Sequence, residues 1–357
     1  MTYTTLVSAA ALAANLDHPH WRIFDCRFSL ADTAAGYQSY RQSHIPGAVY
    51  ADLNKDLSSP VQAYTGRHPL PNFELLAAKL GEWGVNNRCQ VVVYDDAGGA
   101  FAGRMWWLLR SMGHTQVAVL DGGYGHWRKR GLPTTAILPK IAASGFRSYL
   151  DDRQWLSANQ IETGLASRSI RLIDARTQER FLGKAEPIDP VAGHIPGALN
   201  RPLQSNLDRN GLFLSPDQLR RQFSDLIAPW PAERVVHMCG SGVTACHNLL
   251  AMEIAGLSGS KLYAGSWSEW IRNKNRPIAG DERTAKSRIW IGLGRCAGLV
   301  SEKPGRRLSE LVSVPESGRE RIFQDDGFVA VGPGRQYRDF DADQLLDTGN
   351  VSLGIFR

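Results

Sequence analysis

HIPGA occupies residues 44–48 and recurs at 194–198, and the reading of the whole chain follows from that duplication. Ahead of each copy lies a short apolar segment ending in Asp-x-Arg, RIFDCR at 22–27 and RLIDAR at 171–176. Behind each comes a second apolar run, CQVVVYDD at 89–96 and ERVVHMCG at 233–240. Each half then closes on a glycine-rich turn bearing tryptophan, LDGGYGHW at 120–127 and LYAGSWSEW at 262–270. Four landmarks in one order mark two copies of a single domain.

Runs such as VVVYD and RLID are short, β-branched and apolar on both faces, as buried parallel strands require. FAGRMWWLLRSMG (101–113) and TACHNLLAMEIAG (244–256) space their apolar residues as helices do and end on glycine, a C-cap signal. Strands alternating with helices predict an α/β fold in which each half is a mainly parallel sheet flanked by helices. Such sheets hold ligands where a strand hands over to a helix, which points to the turns after Val93 and His237. The expected bounds are 1–135 for the first domain, 136–150 for a Pro-containing linker and 151–280 for the second domain. Residues 281–357 form an extension of unknown structure.

The bulk numbers restrict the function classes. Of 357 residues, 43% are hydrophobic and 21% charged, an ordinary balance for a chain with packed cores. No apolar run approaches 18 residues, so no membrane partner is expected. The N-terminal stretch carries no Lys or Arg before residue 22 and reads as a first helix capped by Ser8 rather than a secretory leader, so the expected location is the cytoplasm. The net charge is +6; the twelve basic and twelve acidic residues of 281–357 cancel, so the surplus belongs to 1–280. A small anionic substrate and nucleic acid both suit such a surplus, but no Lys/Arg run is interleaved with aromatics, and no nucleic-acid partner is expected. The five cysteines, at 26, 89, 239, 246 and 296, are odd in number and form no CxxC pair. Neither a metal nor a cofactor is expected, and the thiols are free in a reducing compartment.

The chemistry is concentrated in HMCGSGVTACHNLLAMEIAG (237–256). A buried strand runs into Cys-Gly-Ser-Gly and directly into a helix. Two glycines within three residues let successive N–H groups turn inward, and the helix adds its positive end. A thiol in that cradle ionises more readily than a free one, which makes Cys239 the candidate nucleophile. Aligning VVVYD with VVHMC puts Asp95 where Cys239 stands. A carboxylate is no sulfur nucleophile, so the first domain is expected to be catalytically silent.

These motifs together resemble the two-domain rhodanese sulfurtransferases over about 1–280, and the loop 239–244, CGSGVT, is similar to that of the 3-mercaptopyruvate branch. The resemblance implies two rhodanese-like domains and a persulfide on Cys239, charged by a small anionic sulfur donor and discharged to a thiol or thioredoxin-like acceptor. It also implies that Gly240, Gly242, Val243 and Thr244 line the substrate, that Arg180 grips the donor's anionic group, and that Ser241, His68 and Asp52 form a proton relay. A monomer is expected. The chain departs from the mercaptopyruvate pattern before GHIPG. FLGKAEPIDPVAG (181–193) has no second arginine, with Asp189 near that position and Lys184 its one cation, as in thiosulfate-type members. Weighting the loop that touches sulfur makes 3-mercaptopyruvate the expected donor and thiosulfate the alternative.

Two other classes use the same cysteine. A Cys-dependent phosphatase needs Cys-x5-Arg, and Ala245 stands where that arginine would be. A non-catalytic module would only relay persulfide between proteins, which leaves the intact loop and Arg180 unexplained. Cys26, Cys89, Cys246 and the tryptophans at 106, 107, 267 and 270 read as core, and Asp25 and Asp174 as partners of Arg27 and Arg176. Cys239→Ser is therefore expected to abolish sulfur transfer to cyanide from either donor, measured as thiocyanate. The wild type should not hydrolyse an aryl phosphate.

Overall fold

The structure, a computed structural model, describes residues 2–280 and the two strands Glu320–Gln324 and Gly327–Val331. The first half runs β1 (Leu6–Val7), α1 (Ala9–Ala13), β2 (Trp21–Asp25), α2 (Ala35–Gln42), β3 (Ala48–Tyr50), α3 (Phe73–Glu82), β4 (Gln90–Tyr94), α4 (Ala102–Ser111), β5 (Val117–Leu120) and α5 (Gly123–Lys129). The second repeats the plan with α6 (Ala158–Ala166), β6 (Arg171–Asp174), α7 (Gln178–Phe181), β7 (Leu199–Asn200), α8 (Pro216–Ile227), β8 (Val235–Met238), α9 (Ala245–Ile254), β9 (Lys261–Leu262) and α10 (Ser266–Trp270). The sheets have orders β1-β5-β4-β2-β3 and β7-β6-β8-β9, and every pairing in them is parallel. The fold expected from the duplicated landmarks is the fold observed. Strands β10 (Glu320–Gln324) and β11 (Gly327–Val331) pair antiparallel as a separate hairpin. Cys296 and the rest of the extension lie outside the described residues.

The repeated motifs act alike in both halves. Ile45 and Ile195 are fully buried, while Gly47 and Gly197 take φ of 79° and 84°, a left-handed turn that aims the chain into β3 and β7. His44 and His194 pair through their backbones with Thr135 and Ala279, which closes each half on its own end. Asp-x-Arg forms a buried ion pair, Asp25–Arg27 at 2.6 Å and Asp174–Arg176 at 2.7 Å. Each guanidinium also donates to the carbonyl just before the HIPGA histidine, that of Ser43 or Gly193, at 2.7 Å. Removing either arginine would strand a buried carboxylate, so the pair ties the strand end to the turn.

Ser8 caps α1 as expected, and capping boxes Ser157–Gln160 and Ser215–Gln218 start α6 and α8. The halves meet through α4 and α9, and one apolar cluster runs through both, from Met105, Leu108 and Leu109 to Leu249 and Leu250. Gly103 makes the approach possible: a Cβ there would already lie 3.3 Å from the His247 amide nitrogen. His247 is fully buried, its Nε2 3.0 Å from the Gly98 carbonyl of the first half and its Nδ1 3.1 Å from Asn206 Nδ2. The ring is thus the neutral tautomer, donating through Nε2 and accepting at Nδ1.

Burial holds His237 at about 3 and His247 at about 4, against an ordinary 6.5. Below pH 6.5 the unfolded chain takes up protons that the native chain refuses, so this contribution is intact above 6.5 and drains away as pH falls toward 4. The melting temperature is expected to fall from pH 6.5 downward, each histidine costing up to about 1.4 kcal/mol per pH unit. His237→Leu should flatten the decline, as thermal melts across that range would show.

Candidate active site

β8 ends at Met238, and Cys239 follows with 2% of its surface exposed. The closing motif GSWSEW fastens its backbone. Ser266 Oγ accepts from the Cys239 N–H at 3.1 Å, the Trp267 N–H donates to the Cys239 carbonyl at 3.0 Å, and the Ser268 N–H to that of Gly240 at 2.9 Å. The sulfur accepts the Gly242 N–H at 3.1 Å. Gly242 needs to be glycine twice over: its φ is +75°, and a Cβ would strike the Ala264 carbonyl. Among the described residues the amides of Gly240, Ser241, Val243 and Thr244 have no acceptor. Thr244 caps α9 without a side-chain hydrogen bond.

The first half shows what this loop architecture binds. The Cys26 N–H donates to the Tyr94 carbonyl and the Ala175 N–H to that of Met238, which puts Asp95 and Cys239 at one position. Asp95 is fully buried. Its Oδ1 accepts from Ala97 and Gly99 and its Oδ2 from Phe101 and Ala102, all at 2.8 Å. An anion held by four main-chain amides is what the strand-to-helix turn is shaped for, and in that copy the chain supplies the anion itself.

Two of the three expected relay members meet. His68 Nδ1 lies 2.7 Å from Ser241 Oγ, and both residues are buried. Burial and the charges of Arg104 and Arg67 hold the imidazole down to about 3, so it is neutral at physiological pH. Asp52 is not joined to them among the described residues. Its Oδ1 accepts from the amides of Asn54 and Lys55 at 2.8 and 3.1 Å, because a carboxylate at a turn start satisfies local N–H groups first.

Arg180 stands on α7 and arrives over Gly240, the residue after Cys239. It donates to Glu186 through Nε at 3.0 Å and Nη2 at 2.7 Å, and through Nη2 to Asp189 Oδ2 at 3.1 Å. Arg67 from the first half holds the other oxygen of Asp189. Both guanidiniums overhang Gly240: a Cβ there would lie 2.8 Å from Arg67 Nη2 and 3.5 Å from both Arg180 Nη atoms. Burial pushes the Asp189 carboxyl up, with Arg67 pulling against it. Arg67 is the residue that sequence reading missed. In GRHPLP it looks like a loop arginine, and its partner is 122 residues away.

A model of the rhodanese-like domain matches residues 8–130 and 153–273. The chain is 47% identical over 281 residues to a probable 3-mercaptopyruvate sulfurtransferase of Pseudomonas aeruginosa, covering 78% of this chain and 99% of that one. It is 38% identical over 279 residues to the putative thiosulfate sulfurtransferase SseB of Mycobacterium tuberculosis, covering 76% and 96%. The crystal structure of SseA from Escherichia coli, a 3-mercaptopyruvate sulfotransferase by its description, superposes with a TM-score of 0.64 at 32% identity, covering 75% of this chain and all of that one.

Gly242→Ala is expected to cost about 1–3 kcal/mol of stability from the forced left-handed backbone. It should lower sulfur transfer more than tenfold, because the amide that faces the sulfur is displaced. Thermal melting and thiocyanate formation on the same preparation separate the two effects.

Proposed function

The chain belongs to the rhodanese family and is a sulfurtransferase, and from that premise we propose that its donor is 3-mercaptopyruvate and that Cys239 carries the sulfur. One observation carries the reading: Cys239 Sγ sits on the Gly242 N–H, beside the Ser241–His68 pair and under two guanidiniums. The Cys239 thiolate attacks the donor sulfur, the sulfur–carbon bond breaks, and the electron pair leaves on the enolate of pyruvate. The donor's thiol proton ends on that carbon, so thiolate and mercaptopyruvate give persulfide anion and pyruvate with charge conserved. The hydrogen-bonded Ser241 Oγ and neutral His68 relay this proton toward the carbon, with His68 staying neutral at the start and the end. The free amides of the loop receive the terminal sulfur, as their counterparts receive the Asp95 carboxylate. Asp95 in the nucleophile's position leaves the first domain silent.

The donor's carboxylate is gripped by Arg180 and Arg67. Arg67 supplies from the other domain the second guanidinium that the segment 181–193 lacks, and planar guanidiniums suit a carboxylate. Ser241 follows the cysteine where a second cation for doubly charged thiosulfate would be useful. The acceptor is a thiol or a thioredoxin-like protein, and the chain works as a cytoplasmic monomer. The four described cysteines are free thiols, a state that a reducing compartment maintains.

The wild type is expected to show the higher kcat/KM with 3-mercaptopyruvate. Arg67→Met should raise KM for that donor about tenfold while changing kcat little, the mark of a binding contact. Steady-state thiocyanate formation with each donor measures both. A clear preference for thiosulfate would defeat the donor assignment and leave the sulfurtransferase standing.

A further inference from the structure

Arg104, on α4 of the first half, is fully buried, with the Cys239 and Cys246 sulfurs near it, the Trp107 ring under its guanidinium and three carbonyl oxygens as acceptors. Nη1 donates to Gly242 at 3.1 Å, and Nη2 to His68 and Pro69 at 3.3 and 3.4 Å. Its Nε has no acceptor, and among the described residues no carboxylate pairs with it. A guanidinium cannot shed its proton to escape this, and a buried cation without an anion is costly. The Gly242 residue it holds is the one whose N–H faces Cys239 Sγ.

The groups around this cation leave one candidate for the missing charge. Cys246, on α9, donates its S–H to the same Gly242 carbonyl at 3.4 Å, and burial pushes its thiol up to about 12, so it stays neutral. His68 is neutral as well. Asp189 and Glu186 face the cations Arg67 and Arg180 on the outer side of the loop. Glu269 of α10 is engaged with Tyr263. Cys239 remains.

We propose that Arg104 is a positioning residue that supplies the counter-charge of the Cys239 thiolate and persulfide, and that it clamps the Gly242 carbonyl so that the N–H of that residue keeps facing the sulfur. The inference rests on reading Cys239 as the sulfur carrier. It makes the active half depend on a charge donated by the silent half.

The test is the pH dependence of Cys239 alkylation by iodoacetamide in the full chain, with Cys239→Ser as the blank for other thiols. Arg104→Gln is expected to raise the midpoint by about one pH unit, and Arg104→Lys, which keeps the charge, to leave it within a few tenths. A purely structural role would lower melting in both and move neither midpoint; an unmoved midpoint in Arg104→Gln overturns the proposal. If Arg104→Gln yields no native protein, the wild type is alkylated at Cys239 with iodoacetate or iodoacetamide. The anionic carboxymethyl adduct should melt above the neutral carbamidomethyl adduct, and an equal or lower melting point overturns the proposal. Donor turnover is read separately: its absence in the wild type would sink the role of Cys239 as sulfur carrier without touching the alkylation result.

Discussion

The approach of α4 to α9 is the constraint on which the site depends. Gly103 lets the two helix backbones come together, and the apolar cluster between them is continuous from one half to the other. Once that contact is made, loops from both halves share one volume. His68 and Arg67 come from the first half, Cys239, Ser241 and Arg180 from the second, and no single domain holds the constellation. A bulkier side chain at 103 would push apart groups that chemistry needs within hydrogen-bond reach.

Duplication followed by divergence explains why one loop geometry serves two ends. In both copies a buried strand runs into a turn rich in unpaired main-chain amides, an arrangement suited to a negative group. Asp95 fills the first permanently with its own carboxylate. In the second, the Cys239 sulfur takes the Gly242 N–H, and the amides of Gly240, Ser241, Val243 and Thr244 have no acceptor among the described residues. In the first copy the carboxyl oxygens of Asp95 are thus fully engaged by the turn around them.

Charge is arranged in layers around that sulfur. Above the loop, Arg67 and Arg180 are bridged by Asp189, with Glu186 behind them, and these pairs hold the guanidiniums in order. Burial of Asp189 weakens its hold as an anion. Below the loop, Arg104 stands alone against carbonyl dipoles. Positive charge on both sides favours an anion at the thiol position, and burial together with that charge keeps His68 in its neutral form.

The repeat, the parallel sheets and the glycine-rich loop that holds Cys239 were legible in the sequence, because each rests on local pattern. Two β-branched runs apolar on both faces, and a cysteine followed at once by a glycine-rich turn, mean the same thing wherever the rest of the chain goes. Arg180 was legible through its place after the second Asp-x-Arg strand, and Ser241 through its place in the loop. The pairing of His68 with Ser241 spans 173 residues, and spacing alone cannot express it. Asp52 shows the converse: it looked suited to the relay, but its carboxylate had nearer amides to satisfy. The places of Arg67 over Gly240 and of Arg104 on the Gly242 carbonyl carried no signal at all, since an arginine in a loop or on a helix face reaches another domain's loop only when the two close together. The sequence by itself determined the two domains and the loop that holds Cys239, through short-range stereochemistry. Only the tertiary structure decided which charges face that sulfur, because electrostatic partnership depends on distance in space and on the water that packing removes.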